Sequence, residues 1–103
     1  MDVSVCPMAV VRAPVETVWA LLADPQGYGA FWDMRVDRVV PPGPARAGQV
    51  VEGWPARLTI DAVDAERRQI RFTTTLPRLF GLGALNVITC TPLDAARCRV
   101  AYG

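Results

Sequence analysis

Apolar positions along this chain follow two different periods, and the change falls near residue 34. Before it, Val3 to Val11 is valine-rich and reads as a strand, with Pro7 marking a bulge or a sheet edge. Pro14 suits the first position of a helix, where its missing N–H costs nothing, and Glu16 suits the positive end of the helix dipole. Val15, Val18, Trp19 and Leu22 recur at the spacing of one helical stripe. Pro25 drives Asp24 out of helical geometry and ends that helix. Gln26 to Trp32 predicts a second short helix or turn, bent at Gly27 and Gly29.

After residue 34 the pattern becomes extended. Met34 to Val40 predicts a strand that stops at Pro41-Pro42-Gly43-Pro44, and Gln49 to Trp54 predicts the next. Arg57 to Val63 alternates, with Leu58, Ile60 and Ala62 on one side and Arg57, Thr59 and Asp61 on the other. Gln69 to Leu76 alternates as well, with Ile70, Phe72, Thr74 and Leu76 set against Arg71, Thr73 and Thr75. The polar stretch Asp64 to Arg68 joins these two as a hairpin, and pairing Ile60 with Phe72 puts both apolar sets on one face. Leu85 to Thr91 and Cys98 to Tyr102 form a last hairpin around Pro92 to Ala96. If Thr89 opposes Val100, Cys90 and Cys98 point to opposite faces; a slip of one residue would set them opposite each other. The expected class is α+β: a curved antiparallel sheet of about seven strands, with two short helices after the first strand.

Composition narrows the function. The 103 residues suffice for one small domain, and 51% apolar against 20% charged residues is a globular balance. A net charge of +1 offers no basic surface for nucleic acid. All eleven basic residues are arginine, so the chain supplies neither a histidine acid–base nor a Schiff-base lysine. The three cysteines, Cys6, Cys90 and Cys98, are widely spaced and lack Cys-x-x-Cys spacing or a histidine to complete a zinc set. They read as reduced strand residues of a cytoplasmic protein. No signal peptide and no apolar run of membrane-spanning length is visible.

Catalytic constellations are not evident. Asp61 and Asp64 fall at a solvated hairpin, Asp33 and Asp37 flank an exposed strand, and Arg67-Arg68 is a charged turn. Gly81-Leu-Gly83 joins two strands with no helix after it, so it is no phosphate loop. Cys98 has no histidine base to make it a nucleophile. No catalytic residue, cofactor or metal ligand is assigned, and the residues specify no reaction.

The order of elements, with Arg12-Ala-Pro14, Val18-Trp19, Leu21-Leu22-Ala-Asp-Pro25 and Phe31-Trp32-Asp33, resembles the START/Bet v 1-like (SRPBCC) superfamily. Its polyketide cyclase/dehydrase and lipid-transport branch is the most similar. Gly48, Leu76-Pro77-x-x-Phe80-Gly81 and Cys98-Arg-Val100 fit the same pattern. The resemblance spans nearly the whole chain and implies a helix-grip fold: a curved sheet around a long C-terminal helix, with an apolar cavity between. This chain stops at Gly103 with no counterpart of that helix, so the expectation is a C-terminally truncated single domain, 1–103, or one whose cover a partner supplies.

The resemblance also assigns residues. Trp19 is expected in the core, and Trp32 at the cavity mouth. Leu58, Ile60, Phe72, Val87 and Val100 would form the concave wall, whether as a cavity lining or as plain core. Thr74, Thr89 and Tyr102 would place hydroxyls on it, the pattern of a pocket that orients a ligand. The implied function is binding of a small hydrophobic molecule: a lipid, isoprenoid, polyketide or aromatic. The alternatives are a cyclase or dehydratase that shapes its substrate and an interaction module using the uncovered sheet. A homodimer covering the open face is the expected assembly.

Overall fold

A computed structural model of the chain describes residues 8–30, 32, 34–76 and 82–103. Expectations on Cys6, Pro7 and the rest of 1–7, on Phe31 and Asp33, and on 77–81 lie outside the described residues. Seven strands are seen: β1 (Met8–Val11), β2 (Arg35–Val40), β3 (Val50–Trp54), β4 (Arg57–Asp64), β5 (Gln69–Leu76), β6 (Leu82–Asp94) and β7 (Arg97–Tyr102). They form one antiparallel sheet in the order β1-β7-β6-β5-β4-β3-β2. Helix α1 (Val15–Leu22) and a 3₁₀ helix (Pro25–Ala30) follow β1, as the sequence predicts. No long C-terminal helix occurs among the described residues, and none of the helices is long and apolar enough to cross a membrane.

Helix α1 begins one residue later than its proline implies. Pro14 is the cap, with ψ of 146°, and its carbonyl accepts from the amides of Thr17 and Val18. The other end leaves carbonyls that need donors. Tyr28 Oη donates to Leu22 O, and the amide of Ala45, from the β2–β3 connection, donates to Ala23 O at 2.9 Å. That connection is itself held by Gln49, which is fully buried. Its Nε2 donates to the carbonyls of Pro41 and Gly43, and its Oε1 accepts from the amide of Arg46. Gly48, at φ +87°, makes the left-handed turn into β3 that a side chain would strain.

Val15, Val18 and Leu22 of α1 pack onto the inner face of the sheet, where Val51, Leu58, Ile60, Ile70, Phe72 and Ile88 are buried. Glu16 on the outer side of α1 pairs with Arg68 of the β4–β5 hairpin.

Three expectations about faces and register need correction. Asp61 is a bulge: Ile60 pairs with Phe72, but Ala62 pairs with Arg71. The extra residue turns Ala62 outward and gives its inner place to Val63, opposite Ile70. In the last hairpin Thr89 faces Ala101, and Val100 faces Cys90. Cys90 and Cys98 therefore share the inner face, both buried and both free thiols. Strand β6 also runs past Pro92, the expected stop, to a turn at Ala95-Ala96. The amide of Cys90 donates to Arg68 O on the β5 side, so by strand parity the N–H missing at Pro92 would point the same way, beyond the end of β5. Proline costs the β6–β7 ladder nothing there.

Candidate ligand-binding hollow

The chain leaves the 3₁₀ helix through Trp32, whose amide donates to Tyr28 O at 2.9 Å. This backbone tie aims the indole across the inner face of the sheet. It meets Tyr28 edge-on, with ring centroids 4.7 Å apart, and Phe72 at 5.4 Å; Phe72 in turn lies 6.1 Å from Tyr102. These aromatic rings divide the inner face into two lobes that share Trp32 and Tyr102 as their common wall.

The larger lobe is an open hollow of about 470 Å³ between α1 and the β1, β7 and β6 strands. Val18 and Leu22 of α1 face Val11, Ile88 and Val100 of the sheet across it. The smaller lobe, about 200 Å³, lies over β4 and β5, between Met34, Ala56, Leu58, Phe72 and Thr74. Among the described residues no charged side chain lines either lobe.

A polar network borders the smaller lobe. Tyr102 Oη donates to Asn86 Oδ1 at 2.8 Å. Asn86 Nδ2 donates to Thr74 Oγ1 at 3.2 Å and to the carbonyl of Ala84 at 2.9 Å. Burial raises the pKa of the Tyr102 phenol, so it is a neutral hydroxyl at ordinary pH.

Of the residues expected from sequence, Trp32, Leu58, Phe72, Thr74 and Tyr102 come together around the smaller lobe. Val100 joins Trp32 and Tyr102 in the larger one. Ile60 is only 1% exposed and lies in the core beneath. Val87 and Thr89 are corrected. Phe72 pairs with Asn86 and Ile70 with Ile88, so the pleat turns 87 and 89 to the opposite face. There Val87 sits across from Arg71, and Thr89 Oγ1 accepts from Gln69 Nε2. The residues missed are Asn86, Ile88, Met34 and Ala56, together with the α1 and β1 walls. An alternation Asn86, Ile88, Cys90 was present in the sequence, but Leu85 and Val87 offered an equally apolar rival.

Among the described residues the carboxylates lie elsewhere. Asp37 pairs with Arg35, Asp64 with Arg67 and Asp94 with Arg97, while Asp61 accepts from Thr73. Among the described residues no three His, Cys, Asp or Glu side chains gather as a metal site. Burial pushes the Cys90 thiol up to about 11, the reverse of an activated nucleophile.

The family model for polyketide cyclase/dehydrase and lipid transport proteins matches residues 3–102. No curated protein matches the chain. Among solved structures, norcoclaurine synthase from Thalictrum flavum, in complex with dopamine and hydroxybenzaldehyde, superposes with a TM-score of 0.70 at 13% identity. The match covers 95% of this chain and 65% of the synthase. A protein from Nitrosospira multiformis gives 0.77 at 19% identity, over 95% of this chain and 74% of that one. A protein of the dynemicin biosynthetic locus gives 0.63 at 21% identity, over 96% of this chain and 36% of that one. At these identities the likeness is one of fold.

Proposed function

The chain belongs to the polyketide cyclase/dehydrase and lipid transport family, and from that premise we propose that it binds a small hydrophobic molecule in the two-lobed hollow. Lipids, isoprenoids, polyketides and aromatics are the candidate classes. The observation that carries this reading is the larger lobe: about 470 Å³ with no charged side chain among the described residues of its wall. That volume falls inside the range of roughly 300–1,000 Å³ common to small-molecule sites. Trp32, Leu58, Phe72, Thr74, Val100 and Tyr102 are the proposed contacts. Thermal unfolding in the presence of a fatty acid, farnesol and naphthalene tests it. A ligand at about one hundred times its dissociation constant adds about 2.7 kcal/mol, a shift of several degrees. A folded protein whose melting temperature none of these probes moves would overturn the reading.

The hydroxyl network beside the smaller lobe favours a second reading, a cyclase or dehydratase that works by holding a reactive chain in one shape. Incubation with a poly-β-ketone checks it: an unchanged product distribution ends that reading. Cover of the open side by a second copy is a separate proposal, supported by Met8 and Leu21, which border the larger lobe and are each more than half exposed. Light scattering decides it, since a monomer at high micromolar concentration rules it out.

A further inference from the structure

We propose that the smaller lobe selects an uncharged ligand that carries a hydroxyl group, with Thr74 and Tyr102 as the two residues that recognise it. The proposal rests on the hollow being a binding site and adds the chemistry of the ligand's polar end.

The argument is an inventory of hydrogen-bonding capacity. Asn86 commits both amide protons, one to Thr74 Oγ1 and one to Ala84 O, and its oxygen takes the proton of Tyr102. The Ala84 carbonyl fixes this orientation, because a flipped amide would set oxygen against oxygen. The phenol of Tyr102, a residue that lines the lobe, has thus given away its only proton, and its oxygen is left as an acceptor. The Thr74 oxygen already accepts, and its own proton has no partner among the described residues. The lobe therefore presents one donor and one acceptor at the two ends of the same amide. A hydroxyl complements both, since it donates to Tyr102 Oη and accepts from Thr74 Oγ1.

Other polar ends fit less well. A carbonyl or ether oxygen satisfies Thr74 alone. A carboxylate would be repelled by the Tyr102 oxygen and would find no cation among the described residues that line either lobe. The rings of Trp32 and Phe72 suit the flat apolar body that the hydroxyl would sit on.

Isothermal titration calorimetry with naphthalene, 2-naphthol and 2-naphthoate, on the native protein and on Thr74→Val and Tyr102→Phe, tests this. The native protein should bind 2-naphthol about tenfold tighter than naphthalene, which is about 1.4 kcal/mol, and 2-naphthoate more weakly than 2-naphthol. Each substitution should shrink the preference for naphthol over naphthalene to about threefold or less. Equal binding of naphthol and naphthalene by the native protein would overturn the proposal and leave the apolar site standing. So would a preference that survives both substitutions, or tightest binding of the naphthoate. Failure of all three probes to bind would overturn the apolar site and this proposal together.

Discussion

The hydroxyl of Tyr28 donates to the carbonyl oxygen of Leu22 at 2.5 Å, joining the 3₁₀ helix to the last turn of α1. The same ring meets Trp32 edge-on, so one side chain fixes both the helix end and the wall between the lobes. Tyr28→Phe keeps the ring and leaves a buried carbonyl unpaired. It should lower stability by about 1–3 kcal/mol in urea unfolding. A loss below about 0.5 kcal/mol would show that water replaces the phenol.

Stability should also fall at alkaline pH. Burial, with Asp24 nearby, raises the Tyr28 pKa well above its ordinary value of 10.0, and burial pushes Cys90 from 9.0 up to about 11. Both groups hold their protons longer when folded. Their contribution is complete below the unfolded pKa values and is lost progressively as pH rises from about 9 through about 11 for the thiol and from about 10 upward for the phenol. Unfolding midpoints from pH 7 to 11 check this. Tyr28→Phe should flatten the decline above pH 10, and an equal slope in the variant would refute the assignment.

Gly53→Ala should weaken the β2–β3 pairing. A methyl group there would collide with the carbonyl oxygen of Arg35, which is backbone and cannot step aside. The expected loss is about 1–3 kcal/mol, as for other overpacked sites. Gly83→Ala is the control, because its nearest neighbour, Thr74 O, is 3.4 Å away. Similar midpoints for the two variants would count against the close approach.

The two tryptophans should separate binding from folding. Trp32 walls both lobes, whereas Trp19 packs against the core and lines neither. Trp32→Ala should weaken naphthalene binding at least tenfold, and Trp19→Ala by no more than about threefold while it lowers the melting temperature. Equal losses of affinity would show that the hollow does not depend on the Trp32 wall.

Much of this was legible where one face of an element is apolar and the other is not. Ile60 opposite Phe72 follows from two polar-apolar alternations that fit only one way. The α1 stripe and the end of that helix before Pro25 are written in spacing and in proline chemistry. Val87 and Thr89 went to the wrong face because residues 85–91 are apolar on both sides, so alternation alone had two solutions. Ala62 was lost to the bulge at Asp61, which has no mark in the local pattern. The Thr74–Asn86–Tyr102 network joins residues 12 and 16 positions apart, and only the registers of β5, β6 and β7 bring them together.

Pro92 bears on how this protein keeps to itself. Beyond Thr89 the strand overhangs its β5 neighbour, and an overhang with a full row of amides would be a template for any extended chain that drifts by. The Cys90 amide is already engaged by Arg68, and proline removes the amide that would follow on that side. A passing strand finds a broken ladder at that point, so the protruding tip of the last hairpin is guarded against fibre growth by a single ring.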